Sequence, residues 1–462
     1  MSKDATKEPV ILKEVLKKKG AKFGFWHKRL CKLTTNHFLI YKGDNESELD
    51  KIIEIGSSAS IQCCDNGKPP HFILDTNDDR PLKLCHDSPN VIITWVNEIR
   101  NITLQTPNLS MDNFEIVSVL GRGFYGKVML VKKKGTNEYY AIKTVHKNRL
   151  VKANKVHTIF TERNILMKAK HPFIVNLCFA FQTDTKVYLG LEYAAGGEMF
   201  YHLQNRGTIP IDEVRLYIAE LALALNYLHN YRIIYRDLKP ENVLLDSQGH
   251  IKLTDFGLAK SLSDYTDTTG TFCGTSEYVS PEIISRKPYG IEIDWWALGI
   301  FTYELLYGQT PFFNENRSKM FQSIKNSRPR FPRKAEQSTI DFISLLLEKD
   351  PTQRGTFDKI NGHPFFKGMN FEDVLAKKYK PAFVPPSSGV ADNFDEEFTM
   401  ENPQDSLATP TMNVKNNPFN GFSYVADGKE DNDSYGEEDN EENSGDENMS
   451  PIACMAPTEM ME

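Results

Sequence analysis

The sequence has no uninterrupted apolar run approaching the roughly 18 residues that a membrane-spanning helix requires, so any contact with a bilayer is expected to be peripheral. Nothing at its start has the order of a secretory leader, and the seven cysteines follow no metal-ligand spacing and are odd in number. A reduced, cytoplasmic setting is therefore expected, with adjacent Cys63 and Cys64 read as core. A uniform charge is lacking too. Residues 427–447 hold eleven acidic side chains against one lysine, so the net charge of −7 hides a mildly basic remainder. That acidic stretch cannot bury enough apolar surface to fold, and no nucleic-acid partner is expected of such a balance. The 462 residues, 40% of them hydrophobic, exceed what one core encloses, because single cores stop growing at about 250–300 residues.

The densest chemistry lies in residues 235–257, YRDLKPENVLLDSQGHIKLTDFG. Two adjoining loops there carry Asp237, Lys239, Asn242 and Asp255. A phosphoryl group in transfer gathers negative charge while forming little new bonding, so a catalyst must surround it with cations and donors. Magnesium takes hard oxygen ligands, which Asp255 and Asn242 supply. Asp237 is then free to accept the proton of an incoming hydroxyl, and Lys239 to neutralise the phosphate. An isolated Asp-Phe-Gly is more often an ordinary turn, and the paired motifs carry more weight.

Upstream, FEIVSVL and VMLVKKK flank Gly121-Arg122-Gly123-Phe124-Tyr125-Gly126, a loop whose backbone amides are open to phosphate. Dinucleotide-binding folds use GxGxxG as well, but there the loop opens a helix. Here residues 128–133 and 139–145 read as strands, giving a hairpin lid.

RDLKPEN followed by DFG resembles the catalytic and metal-binding loops of eukaryotic protein kinases. YRDLKPEN, with Tyr235 where most members have His, is similar to the AGC group. The resemblance implies a bilobal fold that binds ATP and Mg2+, with Leu120, Lys127 and Val128 joining the glycine loop over the nucleotide. Lys143 of the AIK motif would reach the phosphates and pair with Glu162 of TERNIL. In KVYLGLEYAAGGEMF, the Glu192 carbonyl and Ala194 amide would take the adenine edge, with Leu191 as gatekeeper. Apolar residues recur helically over 211–228, a long buried helix supporting the catalytic loop.

By the same resemblance, Thr271 in TFCGT aligns with the activation-loop phosphothreonine, whose phosphate would pair with Arg236. Ser280 replaces the Ala of the APE motif, Glu282 would pair with Arg354, and Asp294 would brace the catalytic loop. Cys273 reads as a packing residue. Glu198, Glu241 and Glu304 match positions that face arginines upstream of the acceptor in basophilic members. Protein substrates with basic residues before Ser or Thr are thus implied. The tail carries KPAFVPP, FDEEFT, a turn-motif site at Thr409-Pro410 and an FxxF[ST][FY] match over 419–424. Its phenylalanines would dock on the small lobe, with Ser423, like Thr271 and Thr409, a target of upstream activating kinases.

Residues 9–106 read as a β-rich unit closed by a helix, with strands at 25–33, 37–41, 71–75 and 81–85. Val91, Trp95, Ile99 and Ile102 fall at helical spacing. KKKGAKFGFWHKRLCKL with that late Trp95 resembles a pleckstrin-homology (PH) domain. Lys18, Lys19, Lys22, Lys28 and Arg29 cluster about its first hairpin, where family members bind phosphoinositide head groups, although His27 stands where a basic residue is usual. A solvated basic hairpin or a protein-interaction surface would show the same residues.

The expected fold class is multidomain α+β: a PH-like barrel and helix at 9–106, a linker at 107–113, a bilobal kinase domain at 114–366, an AGC tail at 367–426 and an acidic tail at 427–462. The order is similar to that of the protein kinase B branch. It implies an ATP-dependent serine/threonine kinase in phosphoinositide-linked signalling, the alternative being a pseudokinase scaffold recruited through its first domain.

Overall fold

In a computed structural model, the described residues are 8–20, 25–55, 60–64, 69–75, 81–104, 109–123, 125–262, 268–271, 273–386, 389–406, 418–419 and 422–425. Lys22, Phe124, Thr409 and the acidic segment lie outside them. The chain divides into two compact units, one built mainly from residues 1–115 and the other from Ile116–Val131 with Tyr140–Phe422.

The first unit is an antiparallel sheet of β1 (Val10–Lys19), β2 (Trp26–Thr34), β3 (His37–Tyr41), β4 (Leu49–Glu54), β5 (Ser60–Cys64), β6 (His71–Asp75) and β7 (Leu82–Cys85), followed by α1 (Pro89–Leu104). Its strand order is β4-β3-β2-β1-β7-β6-β5. Alternate residues of the strands, Cys31 and Leu33, Phe38 and Ile40, meet Trp95, Ile99 and Ile102 of α1 in one core. Phe38 meets Trp95 edge to face with ring centroids 5.3 Å apart. Strands β1, β4 and β5 were not expected from the sequence. In β1 only Leu16 is fully buried among four lysines, so the alternation that announces a strand is faint.

The second unit opens with β8 (Phe114–Arg122), β9 (Gly126–Lys133), β10 (Tyr139–His146), α2 (Lys147–Lys152), α3 (Val156–Lys168), β11 (Leu177–Gln182) and β12 (Lys186–Glu192). These strands lie in the order β11-β12-β10-β9-β8. A helical lobe follows, with β13 (Gly197–Glu198), α4 (Met199–Arg206), α5 (Ile211–Asn230), β14 (Ile233–Ile234), β15 (Val243–Leu245), β16 (Ile251–Leu253), β17 (Lys260–Ser261), α6 (Pro281–Ile284), α7 (Glu292–Tyr307), α8 (Arg317–Asn326) and α9 (Gln337–Leu346). Asp212 and Glu213 occupy the first turn of α5, where the helix dipole favours anions, and an alanine- and leucine-rich run then buries nearly every face. Helix α7 is apolar all round and stops at Gly308, whose φ of 75° and close approach to the Gly207 carbonyl exclude a side chain.

Two features of this lobe position the site. Strands β15 and β16 pair antiparallel with Val243 opposite Leu253, which brings Asn242, just before one strand, to the same end as Asp255, just after the other. Below them, Arg354 is fully buried and donates to both carboxylate oxygens of Glu282 at 2.7 and 3.0 Å. Arg354 also donates to the Glu348 and Glu292 carbonyls, at 3.0 and 2.9 Å, and so fixes three segments together.

Removing one member of such a pair strands a buried charge. Arg354→Met is expected to lower unfolding free energy in denaturant by about 3–5 kcal/mol. Pairing it with Glu282→Met should recover part of that loss.

Candidate active site

The catalytic loop hangs from one buried carboxylate. Asp294 of α7 is fully buried and accepts the backbone N–H groups of Tyr235 and Arg236, each at 2.9 Å, while His229 Nε2 lies 2.8 Å away. Arg236 is held at a φ of 70°, a left-handed conformation costly for a side-chain-bearing residue. The residues that follow thereby turn into the cleft. Tyr235 is buried; its hydroxyl donates to the Thr254 carbonyl and its ring meets Phe256 edge to face at 5.3 Å. The catalytic loop and the Asp-Phe-Gly segment are thus pinned to each other through the residue that departs from the commoner His.

Asn242 donates its amide nitrogen to the Asp237 carboxylate and carbonyl, both at 2.8 Å, which leaves its amide oxygen available to a cation. Lys239 Nζ lies 3.4 Å from Asp237 Oδ2. Burial pushes the Asp237 carboxyl above its ordinary range against the pull of Lys239, the direction a general base needs. Asp255, at a φ of 52°, accepts Gly257 N–H at 3.1 Å.

Lys143 on β10 reaches across to two carboxylates, Glu162 of α3 at 2.7 Å and Asp255 at 3.0 Å. Burial opposes its charge, but Asp255 and then Glu162 outweigh it and hold the ammonium above the usual lysine range. The same contact holds Asp255 below the usual carboxylate range. Asp255 and Asn242 offer two hard oxygens, and no group of three or more His, Cys, Asp or Glu capable of holding a metal occurs among the described residues. That donor set fits magnesium, which takes one or two protein oxygens and completes its shell from phosphates and water.

The lid is β8 and β9 with the turn between them. A Cβ at Gly121 would meet nothing within 4 Å, whereas one at Gly126 would lie 1.7 Å from the Thr144 carbonyl oxygen. Gly126 is therefore required by the packing of β9 on β10. Arg122 points to the tail and pairs with Glu401 at 2.7 Å, and Lys127 donates to the Gln404 carbonyl. Leu120 is buried and Tyr125 and Val128 half-buried, while Ala194 and Leu191 are buried where β12 runs out into the hinge.

The tail returns to the small lobe. Phe419 and Phe422 are fully buried, their rings 6.4 and 5.5 Å from that of Phe160 on α3. Arg163 lies over Phe422 at 5.4 Å and Lys147 over Phe419 at 5.1 Å. The anchor therefore grips the helix that carries Glu162, and Ser423 stands exposed beside it. A contact unforeseen in the sequence involves Ser406, whose hydroxyl lies 3.0 Å from His146 Nε2 beside the Lys186–Asp405 ion pair at 2.7 Å. No local pattern in Gln404-Asp405-Ser406 announces a partner some 260 residues away.

Thr271 is exposed and makes no described contact with Arg236; its carbonyl accepts from Tyr289, whose hydroxyl lies 3.4 Å from Arg236 Nη1. Among the three glutamates assigned to substrate, Glu304 is engaged by the Tyr278 hydroxyl. Burial, then Glu241 and Asp395, push Glu198 up to about 7. Burial, with Glu241 and Glu277 nearby, pushes Glu304 up to about 7. Burial raises Glu241 as well.

In the first unit the basic residues of the first hairpin divide between two faces. Cross-strand register sets Lys17 opposite Lys28, Lys18 opposite His27 and Lys19 opposite Trp26. Because successive side chains face opposite sides of a strand, Lys18, His27 and Arg29 share one face, and Lys19 and Lys28 the other. On the first face Asp50 lies 3.7 Å from Lys18 and 3.9 Å from Arg29, while Lys19 lies over the Trp26 ring at 5.9 Å. Of the basic residues expected about the first hairpin, Lys18 and Arg29 thus stand on one face and Lys19 and Lys28 on the other, with Lys22 outside the described residues.

Comparison with known proteins agrees with this geometry. Residues 114–366 match the family model described as protein kinase domain, residues 10–103 that of the PH domain, and residues 391–424 that of the protein kinase C terminal domain. The chain is similar to the RAC family serine/threonine-protein kinase homolog of Dictyostelium discoideum, 38% identical over 435 residues that span 91% of this chain and 98% of the relative. It is also similar to the serine/threonine-protein kinase Sgk1 of Bos taurus and of Homo sapiens, each 43% identical over 368 residues, or 76% of this chain and 85% of the relative. With a kinase domain, an AGC-type C-terminal segment and a PH domain on one polypeptide, the chain belongs to the AGC group of serine/threonine protein kinases.

Proposed function

We propose that this chain transfers the γ-phosphate of ATP to serine or threonine of proteins bearing arginine upstream of the acceptor, and that its PH domain brings it to phosphoinositide-containing membranes. The observation that carries the catalytic reading is the convergence of Lys143, Glu162 and Asp255 within 3.0 Å contacts, beside the Asp237–Asn242 pair. Asp255 and the amide oxygen of Asn242 would hold magnesium, which when bound would neutralise charge on the phosphates, while Lys143 aligns the α- and β-phosphates and Lys239 faces the transferred group. Asp237 orients the substrate hydroxyl and accepts its proton. The Glu192 carbonyl and Ala194 amide meet the adenine edge, with Leu120, Tyr125 and Val128 closing over it. Thr271, Ser423 and a turn-motif residue take activating phosphates from upstream kinases. A scaffold reading is disfavoured by the presence of every charged group that transfer needs.

For the substrate, Glu198, Glu241 and Glu304 form an acidic group whose mutual repulsion a guanidinium would relieve. For the membrane, the face shared by Lys18, His27 and Arg29 is where a polyphosphate would displace Asp50.

Lys143→Met is expected to lower phosphorylation of an arginine-bearing peptide by about 10²-fold or more, and Asp237→Ala by about 10²–10⁴-fold, with folding retained by circular dichroism. Wild-type levels in either variant would remove the catalytic reading.

Carboxylates raised to about 7 are ionised above that pH and protonated below it. The KM for an arginine-bearing peptide should therefore rise as pH falls from ~8 to ~6, with little change for a peptide carrying alanine upstream. Parallel profiles for the two peptides would contradict the arginine preference.

Flotation with phosphoinositide-containing vesicles should carry wild type and lose Arg29→Ala, while Asp50→Asn should bind more tightly. A wild-type protein that fails to float at low salt would overturn the lipid assignment.

A further inference from the structure

The last hydrogen-bonded residue of β12 is Glu192, opposite Tyr140 of β10, and beyond it the ladder no longer holds the chain. Yet the next residues are those assigned to the adenine edge. Their far end is tied down at Gly196, whose N–H donates to the Leu245 carbonyl at 2.9 Å. Their near end is tied down by a side chain. Lys252 of β16 is nearly buried and its Nζ lies 2.8 Å from Glu192 Oε1 and 2.9 Å from Oε2. Asn176 completes the grip from the start of β11. Its backbone N–H and side-chain amide reach Glu192 Oε2 at 3.3 and 3.1 Å, and its carbonyl accepts Glu192 N–H at 2.9 Å.

We propose that Lys252 is a positioning residue for nucleotide recognition, fixing Glu192 so that the hinge backbone presents its carbonyl and amide to adenine in one arrangement. This rests on the reading that the Glu192 carbonyl and Ala194 amide bind the adenine edge. Two physical points favour it. Both carboxylate oxygens of Glu192 are held, by Lys252 and by Asn176, so the geometry of the group is defined. It bridges elements far apart in sequence: β16 continues within two residues into Thr254-Asp255, so the same strand that delivers the metal ligand also holds the hinge.

The test compares ATP with purine riboside triphosphate, which lacks the exocyclic amine that the Glu192 carbonyl would accept from. Steady-state kinetics of the full chain should show KM for ATP raised about 10-fold in Lys252→Met, the loss expected of a charge-assisted contact. The kcat should stay within about twofold, and the peptide KM unchanged. Lys252→Arg should recover most of the affinity, and Glu192→Gln, which keeps the amide contacts of Asn176, should lie between. With the analogue, which keeps the ring nitrogen that the Ala194 N–H would donate to, the loss from wild type to Lys252→Met should be smaller than with ATP. Should Lys252→Met prove poorly folded, Glu192→Gln carries the same comparison. Wild type that fails to distinguish the two nucleotides would overturn the adenine-edge reading and the proposal together. Discrimination by wild type with an unchanged KM in the variants, or equal weakening toward both nucleotides, would overturn the clamp alone.

Discussion

One ammonium group organises the cleft. Burial works against the charge of Lys143, and two carboxylates from different elements outweigh it and hold the ammonium above the usual lysine range. Each partner has its own reason to be there. Glu162 projects from α3, and Asp255 follows β16 in the left-handed backbone region that aspartate, unlike most residues, tolerates. If either element moves, the lysine loses one of its two partners, and a departing Glu162, itself buried, loses the ammonium that compensates its charge. The ion triad is therefore a sensor of alignment between the small sheet, α3 and the catalytic lobe.

The position of α3 is in turn set from far along the chain. That helix has no side-chain cap at its N-terminus and only modest amphipathicity, so little in its own sequence holds it in place. Phe419 and Phe422 supply what it lacks, since their burial against Phe160 and Arg163 covers apolar area beside Glu162. Arg122 with Glu401, and Lys186 with Asp405, extend the same attachment along the lid and the outer face of the small sheet. A tail that grips the sheet at several points biases the lysine toward its paired state without touching it.

What could be read in the sequence follows from how local each determinant is. The turn from Arg236 to Asn242 and the Asp-Phe-Gly segment state their chemistry within a few residues, because backbone conformation, metal donors and proton acceptor must be adjacent. Strands β9 and β10 could also be read as short runs, and α5 by its periodicity, whereas β11 was not expected. Nor was strand β1, since lysines paired to Asp87, Glu46 and Asp50 mask its alternation. The grouping of Lys18 with Arg29, and their separation from Lys19 and Lys28, depends on cross-strand register, which a list of basic residues does not contain. Ser406 on His146, and Glu192 under Lys252, are meetings of segments tens to hundreds of residues apart, decided only by tertiary packing.

Those long-range meetings share a character. The buried and half-buried polar groups of the helical lobe, Asp294 under the catalytic loop, Arg354 with Glu282, His250 with Glu220 at 2.5 Å and Lys252 with Glu192, each join segments far apart in the chain. Buried ion pairs contribute little net stability compared with apolar side chains of the same volume, because desolvation offsets most of the attraction. Their advantage is geometric: a carboxylate with two backbone donors or a bidentate guanidinium tolerates one arrangement, whereas a greasy contact tolerates several. Phosphoryl transfer has little covalent work to distribute and depends on holding donors, metal ligands and acceptor in register. A lobe whose loops are fastened by directional contacts suits that demand, and the apolar core around α5 and α7 supplies the stability that those contacts do not.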